Sequence, residues 1–248
     1  MEYKNILHRN PNEGKNPDII KEMFSKVAKR YDKANSILSF GVHHLWRKKL
    51  VKLSGAASGQ KVLDCATGTG DLAIEFKKAV GDTGSVIGTD FCADMLAYAP
   101  EKSEQQGLNI TFEVADVMNL PYPDNTFDIV SISFGIRNVG NPIKALSEMS
   151  RVLKPGGRLM ILEFGSVRMP LFAKLYQFYS TTILPKIGGL VTGQKQAYEY
   201  LQSSSAQFPY AEDFIALMKQ NSELKNSRYY SLTGGIAYIY QAKKTVQH

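Results

Sequence analysis

Short apolar runs alternate with windows of helical periodicity from residue 61 onward. Five runs have the length and the aliphatic, β-branched composition of buried strands, and they cover residues 61–65, 85–90, 110–115, 127–134 and 157–164. Windows with the apolar spacing of amphipathic helices lie between them, at residues 71–80, 93–106 and 142–153. Because strands and helices alternate with short connections, the sequence predicts an α/β fold with a parallel sheet and helices on both faces.

The alternation stops after residue 164. Residues 168–190 are rich in Leu, Phe, Tyr and Ile and contain Pro185 and Gly188-Gly189, which favours a helical segment inserted into the fold. A helix is predicted over 209–221, followed by strand-like runs at 227–233 and 236–243 on either side of Gly234-Gly235. The sequence thus predicts a Rossmann-like fold: a seven-stranded, mostly parallel sheet with a terminal antiparallel hairpin and helical cover.

The segment before residue 61 is helical in pattern. Residues 1–15 are polar and predict a loose lead-in, and helices are predicted from Pro17 and over 42–53. We expect one domain over 1–248, divided into an N-terminal helical lid (1–58), an α/β core (59–165), a helical insertion (166–208) and a C-terminal helix with its hairpin (209–243).

The composition is that of a soluble globular protein, with 44% hydrophobic and 21% charged residues among 248. No apolar run has the length of a membrane-spanning helix, and the first residues lack the apolar stretch of a signal peptide. Cys65 and Cys92 are far apart, which argues against a disulfide framework. These features favour a cytoplasmic location.

The positive charge is concentrated in the first 60 residues. They hold 12 Lys and Arg against five Asp and Glu, and so account for the whole formal net charge of +7. A solvated helical face, a nucleic-acid patch and a surface for anionic lipid are the three interpretations. Aromatic residues interleave with the basic ones at 29–31 and 46–49 only, so no nucleic-acid partner is expected.

A loop rich in small residues follows the first predicted strand. Gly68 and Gly70 let the backbone approach a ligand closely, and Asp90 ends the next strand twenty residues after Gly70. A carboxylate at that place reaches the two ribose hydroxyls of an adenosine cofactor. Residues 68–73 also fit the GxGxxA pattern of dinucleotide enzymes, so a nicotinamide cofactor stays open at this point.

Two acidic positions favour a different cofactor. Asp71 stands where a pyrophosphate would meet the helix N-terminus, and its carboxylate would repel phosphate but accept a cationic ligand. S-adenosylmethionine has a ribose and a sulfonium but no phosphate. Asp116 and Val117 end the third predicted strand, where they suit the amino group and the ring of adenine.

The order of these motifs resembles the class I methyltransferases over residues 61–163, with the segments 120–128 and 151–158 continuing the pattern. Further segments narrow the resemblance to the quinone-biosynthesis C-methyltransferases, the demethylmenaquinone/ubiquinone methyltransferases of the UbiE/MenG family. They lie at 29–35, 39–46, 133–139, 184–188 and 198–201, and the similarity covers about residues 20–243. Ala66 replaces the first glycine of the general loop motif but is usual in this family, whereas Cys92 is less typical.

The resemblance implies a class I methyltransferase fold, S-adenosylmethionine as cofactor, and methylation of demethylmenaquinol to menaquinol. The positions that match the cofactor-binding residues of the family are Thr69, Asp90, Asp116, Val117 and Ser133, beside the glycines of the loop. Alternatives are the equivalent methylation of a polyprenyl benzoquinol, or of another lipophilic small molecule. A non-catalytic binding module is disfavoured because the functional positions are retained.

Three residues are candidates for catalysis under this resemblance. The acceptor ring becomes nucleophilic when its hydroxyl loses a proton, so the site must favour the phenolate and exclude water. Arg137 follows the fourth predicted strand and would lower a phenol pKa, Asn138 would orient a water or ring oxygen, and Tyr31 would close the pocket or hydrogen-bond the same oxygen.

No metal site is expected, because His43-His44 has no acid near it in the sequence at metal-ligand spacing. The isoprenoid tail of the implied substrate suggests that the apolar insertion at 169–191 shelters the tail while the basic N-terminal region rests on anionic lipid. Peripheral contact with the inner face of the cytoplasmic membrane and a homodimer are therefore further expectations.

Overall fold

The computed structural model describes residues 17–168 and 170–246. Its seven strands form one sheet in the order β3-β2-β1-β4-β5-β7-β6, parallel from β3 to β5 and antiparallel at β7 and β6. The strands are β1 Lys61–Cys65, β2 Ser85–Asp90, β3 Thr111–Val114, β4 Phe127–Ser133, β5 Leu153–Phe164, β6 Leu224–Leu232 and β7 Ala237–Lys244. The predicted seven-stranded sheet and its terminal antiparallel hairpin are confirmed.

Eleven α-helices occur among the described residues. They are α1 Pro17–Val27, α2 Tyr31–Leu38, α3 Val42–Ser54, α4 Asp71–Val80, α5 Ala93–Leu96, α6 Ala99–Glu104, α7 Pro142–Val152, α8 Pro170–Phe178, α9 Leu184–Thr192, α10 Lys195–Gln207 and α11 Glu212–Met218. The single helix predicted over 93–106 is wrong, since it is two helices. Pro100 stands in the first turn of α6, where proline begins a helix well but cannot continue one.

Residues 154–156, which precede the strand predicted over 157–164, lie inside β5. The register of β4 against β5 passes from Phe127 opposite Leu153 to Ile129 opposite Arg158, so residues 154–157 bulge out of the ladder. Gly156 has a φ of +77° there, which glycine adopts without strain. Strand β5 therefore begins at Leu153, four residues before the start of the predicted strand at 157.

Helices cover both faces of the sheet. Adjacent residues of β1 point to opposite sides, so Val62 packs with Leu50 of α3 and Phe76 of α4, whereas Leu63 packs in the cluster of Leu146 of α7. All five side chains are at most 1% exposed. The apolar runs of the central strands are continuous because both faces are buried.

The inserted helices pack against the N-terminal helices. Leu38 of α2 lies in one apolar cluster with Leu184 of α9 and Tyr198 of α10. The hydroxyl of Tyr179, in a π-helical turn between α8 and α9, donates to the carbonyl of Leu38 at 2.6 Å. These contacts place two helical segments, distant in sequence, together over the carboxyl ends of the parallel strands.

Among the described residues, no helix combines the length and the apolar character needed to cross a bilayer. The loose lead-in predicted at 1–15 lies outside the described residues.

Candidate functional site

Two cavities adjoin each other at the carboxyl ends of the parallel strands, the edge where open α/β sheets bind ligands. The smaller cavity, of about 130 Å³, is lined by Gly68, Asp90 and Ser133 and by residues 115–118. The larger cavity, of about 300 Å³, lies under the N-terminal and inserted helices. Phe24, Tyr31 and Phe134 line both, so they form the boundary between the two spaces.

The loop after β1 is shaped by close backbone approach. Ala66 has a φ of +48°, in the left-handed region that costs a non-glycine residue about 1 kcal/mol. A Cβ atom on Gly135 would lie 2.6 Å from the Cβ of Ala66, so only glycine fits there. Asp64 supports the loop, since its two carboxylate oxygens accept hydrogen bonds from Thr67 and Ser131 at 2.6 and 2.7 Å. Burial raises the pKa of Asp64 to about 6.

Asp90 lies at the centre of the smaller cavity's wall. Its side chain is 7% exposed, and its oxygens accept backbone hydrogen bonds from Gly68 at 2.8 Å and Cys92 at 2.9 Å. Burial raises its pKa, which the backbone donors oppose. Each carboxylate oxygen keeps lone pairs for the hydroxyls of a ribose. Cys92 is buried behind it against Ala28 of the N-terminal segment and does not line the cavity.

Three more predicted positions line the smaller cavity. Asp116 is exposed and holds the Met118 backbone N–H with one oxygen at 2.8 Å, which leaves the other for an amino group. Val117 is buried and supplies apolar contact. The Ser133 hydroxyl is buried without a hydrogen-bond partner, and a buried polar group in that state is costly unless a ligand satisfies it. An adenosine with a polar substituent fits this set of groups.

The structure places Thr69 and Gly70 away from the cavity wall. The Thr69 hydroxyl donates to Asp32 of α2 at 2.6 Å, and Lys102 reaches the other oxygen of Asp32 at the same distance. Thr69 therefore ties the glycine loop to the N-terminal helices. Asp32 was not singled out from the sequence, although it lies within the segment 29–35 that carries the family resemblance.

The hypothesis that Asp71 faces a cationic ligand is wrong. Its carboxylate pairs with Arg47 of α3 at 2.7 Å and with Lys102 of α6, and it does not line the smaller cavity. These two cations hold the pKa of Asp71 below its usual value against the effect of burial. The sequence could not reveal them because α3 and α6 lie far from Asp71 along the chain.

No acid lies near His43-His44 in the sequence, but the fold brings Asp71 to them. Their potential ligand atoms all lie within 4.8 Å of one another. Asp71 is already neutralised by Arg47 and Lys102, so these charges oppose a further cation at this place.

Arg137 lines the larger cavity as part of a buried ion pair. Its guanidinium donates to Glu163 at 2.6 Å and to the carbonyl of Phe134 at 2.7 Å, and it lies 5.3 Å over the ring of Phe164. Arg137 and Glu163 are only 4% and 1% exposed. Glu163 was not singled out from the sequence, yet it is the penultimate residue of β5, at the same sheet edge as the other site residues.

Asn138 and Tyr31 lie at the junction of the cavities. Asn138 lines the smaller cavity, and its side-chain oxygen accepts from the Tyr200 hydroxyl at 3.1 Å. Tyr31 lines both cavities, and burial raises the pKa of its phenol. The three candidates for catalysis, Arg137, Asn138 and Tyr31, are thus distributed over both cavities near the boundary between them.

The rest of the larger cavity is mainly apolar and aromatic. Trp46, Phe134 and Phe164 form one cluster, with the two phenylalanine ring centroids 4.4 Å apart. Such walls suit a flat, apolar ring.

Comparison with known proteins assigns a family to this arrangement. Residues 11–244 match the family model described as the ubiE/COQ5 methyltransferase family. The chain is 66% identical over 230 residues, 93% of its length and 97% of the relative's, to a protein of Bdellovibrio bacteriovorus named ubiquinone/menaquinone biosynthesis C-methyltransferase UbiE. A protein of Haemophilus ducreyi with the same name is 42% identical, covering 91% of this chain and 88% of its own.

A solved structure agrees with the fold. A S-adenosylmethionine-dependent methyltransferase from Thermotoga maritima, described as a possible histamine N-methyltransferase, superposes with a TM-score of 0.63 at 17% identity, over 90% of this chain and 99% of its own. At this identity the likeness shows the fold. Together with the two relatives and the family match, it identifies the chain as a S-adenosylmethionine-dependent C-methyltransferase that belongs to the ubiE/COQ5 methyltransferase family.

Proposed function

We propose that this enzyme methylates a ring carbon of demethylmenaquinol, giving menaquinol. The proposal rests chiefly on the larger cavity, an apolar and aromatic chamber that adjoins the cofactor cavity through Tyr31 and Phe134. Its aromatic walls suit the two fused rings of a naphthoquinol. The relatives' printed names include both menaquinone and ubiquinone biosynthesis, so a polyprenyl benzoquinol is the main alternative acceptor.

S-adenosylmethionine, when bound, supplies an electrophilic methyl group on a sulfonium. Gly68, Asp90, Asp116, Val117 and Ser133 would hold it, because these residues line the smaller cavity with acceptors and apolar surface suited to an adenosine. Thr69 and Gly70 would act indirectly, by fixing the loop against its neighbours. Covering helices would keep water from the developing phenolate.

Arg137, Asn138 and Tyr31 would act on the acceptor. The Arg137 cation would stabilise phenolate charge, although Glu163 beside it neutralises part of that effect. Asn138 would use its amide hydrogens, since Tyr200 already occupies its oxygen. Tyr31 would donate a hydrogen bond to a ring oxygen, because its raised pKa keeps the phenol protonated.

The N-terminal helices would serve as a lid over both cavities. Asp32 holds the loop through Thr69, and Arg30 donates to the carbonyl of Val191 at 3.0 Å. The lid would thus be fastened on one side to the cofactor loop and on the other to the inserted helices.

The acceptor is tested by comparing two substrates of equal tail length. Purified enzyme is given S-adenosylmethionine and either a chemically reduced short-chain demethylmenaquinone or the matching benzoquinol. We expect a higher kcat/KM for the naphthoquinol. A higher value for the benzoquinol would replace the proposed acceptor by the alternative.

We also propose that the enzyme docks on anionic membrane. Lys29, Arg30, Lys48 and Lys49 are exposed on the N-terminal helices. The inserted helices expose apolar side chains, with Leu171 and Leu190 each 85% exposed and Phe178 57% exposed. Basic residues that attract anionic headgroups, beside apolar side chains that enter the interface, are typical of peripheral membrane proteins.

Replacing Lys29, Arg30, Lys48 and Lys49 together by glutamine is expected to weaken binding to anionic liposomes at least tenfold at low salt. Each basic residue near such a surface contributes about 1 kcal/mol, and salt screens the attraction. Cosedimentation with vesicles measures the effect. The control replaces four exposed lysines elsewhere, Lys61, Lys219, Lys225 and Lys243. Equal binding by both variants would contradict membrane docking through the N-terminal region.

A further inference from the structure

Two of the residues that line the larger cavity are exposed, and they mark its opening. All of its lining residues belong to the described part of the chain, and among them only Phe40 and Thr233 are exposed. Phe40 is 83% exposed and lies in the turn between α2 and α3. A side chain that lines a cavity and yet stands largely in solvent lies at the mouth of that cavity. The mouth is therefore beside this turn.

The backbone at Phe40 does not favour a large side chain. Its φ is +51°, in the left-handed region that a bulky residue rarely adopts and that Gly, Asn or Asp adopts more readily. Neither burial nor local conformation therefore accounts for a phenylalanine at this position. Strain of this kind is found where a side chain is held for a functional reason.

The second exposed residue brings the turn of the terminal hairpin to the same part of the molecule. Thr233 Oγ1 accepts a hydrogen bond from Trp46 Nε1 at 3.0 Å, and Trp46 belongs to α3, which begins two residues after Phe40. A Cβ atom on Gly234 would lie 2.8 Å from the ring of Phe172, so α8 packs against the hairpin turn. The α2–α3 turn, the hairpin turn and α8 thus border the opening.

Helix α8 carries apolar side chains on two faces, and none of its described side chains is buried. Phe172 and Tyr176, one turn apart, lie toward the hairpin turn and the larger cavity. Leu171, Leu175 and Phe178 follow the helical spacing on another face and are 85%, 64% and 57% exposed. Clustered apolar side chains in water mark a surface that binds an apolar ligand or a membrane. Helix α8 therefore extends the apolar wall of the cavity to the outside.

The polyprenyl tail of the proposed acceptor is too long for the larger cavity. Its volume of about 300 Å³ is at the lower end of the range for small-ligand sites, so it accommodates the fused rings and the beginning of a tail. The remaining isoprene units are apolar and have to leave through an opening with apolar walls.

A third cavity, of about 270 Å³, adjoins the larger one but suits the tail less well. Tyr176 and Leu184 are among the residues that line both, so they form part of the wall between them. Five hydroxyl or amide side chains line the third cavity, those of Ser166, Gln177, Ser180, Gln202 and Ser205. An apolar chain lying over such groups would deprive them of hydrogen bonds to water. The mouth at Phe40 is therefore the better route.

We propose that Phe40 determines specificity for the tail of the acceptor, by packing against the first isoprene units where they leave the larger cavity toward the exposed face of α8. The inference rests on the proposed function, since it requires a polyprenyl quinol as acceptor. The ring then lies inside the cavity with Tyr31 and Arg137, and Phe40 takes no part in the chemistry. Phe40 contributes to the binding of acceptors that have a tail and not to the binding of the ring alone.

Phe40→Asp tests the proposal with little disturbance of the turn, because aspartate adopts a positive φ more readily than phenylalanine does. Phe40→Leu keeps an apolar side chain at the mouth. The matched control is Leu45→Asp, since Leu45 is 64% exposed and does not line the larger cavity. Rates are measured anaerobically in a non-ionic detergent without membranes, using two reduced naphthoquinols, one with a tail of two isoprene units and one without a tail.

We expect the wild type to have a higher kcat/KM for the tailed acceptor. Phe40→Asp should lower that kcat/KM about tenfold or more, mainly by raising KM, which is the size of effect that loss of one apolar side-chain contact produces. Its kcat/KM for the tail-less acceptor should stay within twofold of wild type, which also shows that the variant is folded. Phe40→Leu should regain most of the lost value, and Leu45→Asp should leave both values within twofold.

Three results with an active wild type would overturn this inference alone. The first is a Phe40→Asp value for the tailed acceptor within twofold of wild type. The second is an equal loss for both acceptors, which would show that Phe40 supports the lid and not the tail. The third is an equal loss in Leu45→Asp, which would show a general effect of surface charge. A wild type that binds S-adenosylmethionine but methylates neither acceptor would overturn the proposed function and this inference together.

Discussion

Replacing Asp90 by alanine is expected to lower the affinity for S-adenosylmethionine about 100-fold or more. Asp90 is the buried carboxylate at the wall of the smaller cavity, and each of its oxygens already holds a backbone N–H of the surrounding loops. Hydrogen bonds to a charged acceptor contribute about 1.5–3 kcal/mol each, so losing two ribose contacts accounts for the effect. Calorimetric titration of the purified variant measures it.

The matched control is Asp94→Ala, which removes an exposed carboxylate four residues further on, in α5. Its affinity should equal that of wild type. Circular dichroism checks that the Asp90→Ala protein is folded. A folded variant that binds S-adenosylmethionine within threefold of wild type would show that the carboxylate does not hold the cofactor.

Replacing Arg137 by alanine is expected to abolish methyl transfer and to destabilise the fold by about 3–5 kcal/mol. The substitution leaves Glu163 buried without its cationic partner, and an uncompensated buried charge costs about this much. For a chain of this length the unfolding temperature should fall by roughly 10 °C. Thermal unfolding and the rate of label transfer are measured on the same preparation.

A double variant separates the two effects of Arg137. Combining Arg137→Met with Glu163→Gln removes both charges and keeps an acceptor oxygen for one of the two backbone N–H groups that Glu163 binds. We expect it to regain most of the lost stability and to remain inactive. If it recovers activity as well, Arg137 serves only to compensate Glu163. Arg168→Ala, at an exposed ion pair with Glu212, is the control and should leave both readouts unchanged.

The sheet was predictable because its strands are buried on both faces. Runs such as 61–65 and 127–134 are apolar without alternation, and their order relative to the helical windows leaves few possible topologies. The observed strands β1 and β2 have the predicted bounds. The helix break near Pro100 and the bulge at residues 154–157 depend on local geometry. The predicted bounds of the helix over 93–106 and of the strand over 157–164 therefore differ from the observed ones.

The site residues at the carboxyl ends of the parallel strands were predictable, whereas ion pairs between distant helices were not. Asp90 and Ser133 end their strands and Asp116 lies just after one, so their convergence at one edge follows from the topology. The partners of Asp71 come from α3 and α6, and no spacing in the sequence indicates them.

The most direct test of the account is to locate the transferred methyl group. Wild-type enzyme is incubated anaerobically with S-adenosylmethionine carrying a carbon-13 methyl group and reduced short-chain demethylmenaquinone, and the product is analysed by mass spectrometry and NMR. The account predicts one labelled methyl group on the ring carbon next to a hydroxyl-bearing carbon. Label on oxygen as a methyl ether, or no label on the quinol while the cofactor binds, would contradict it.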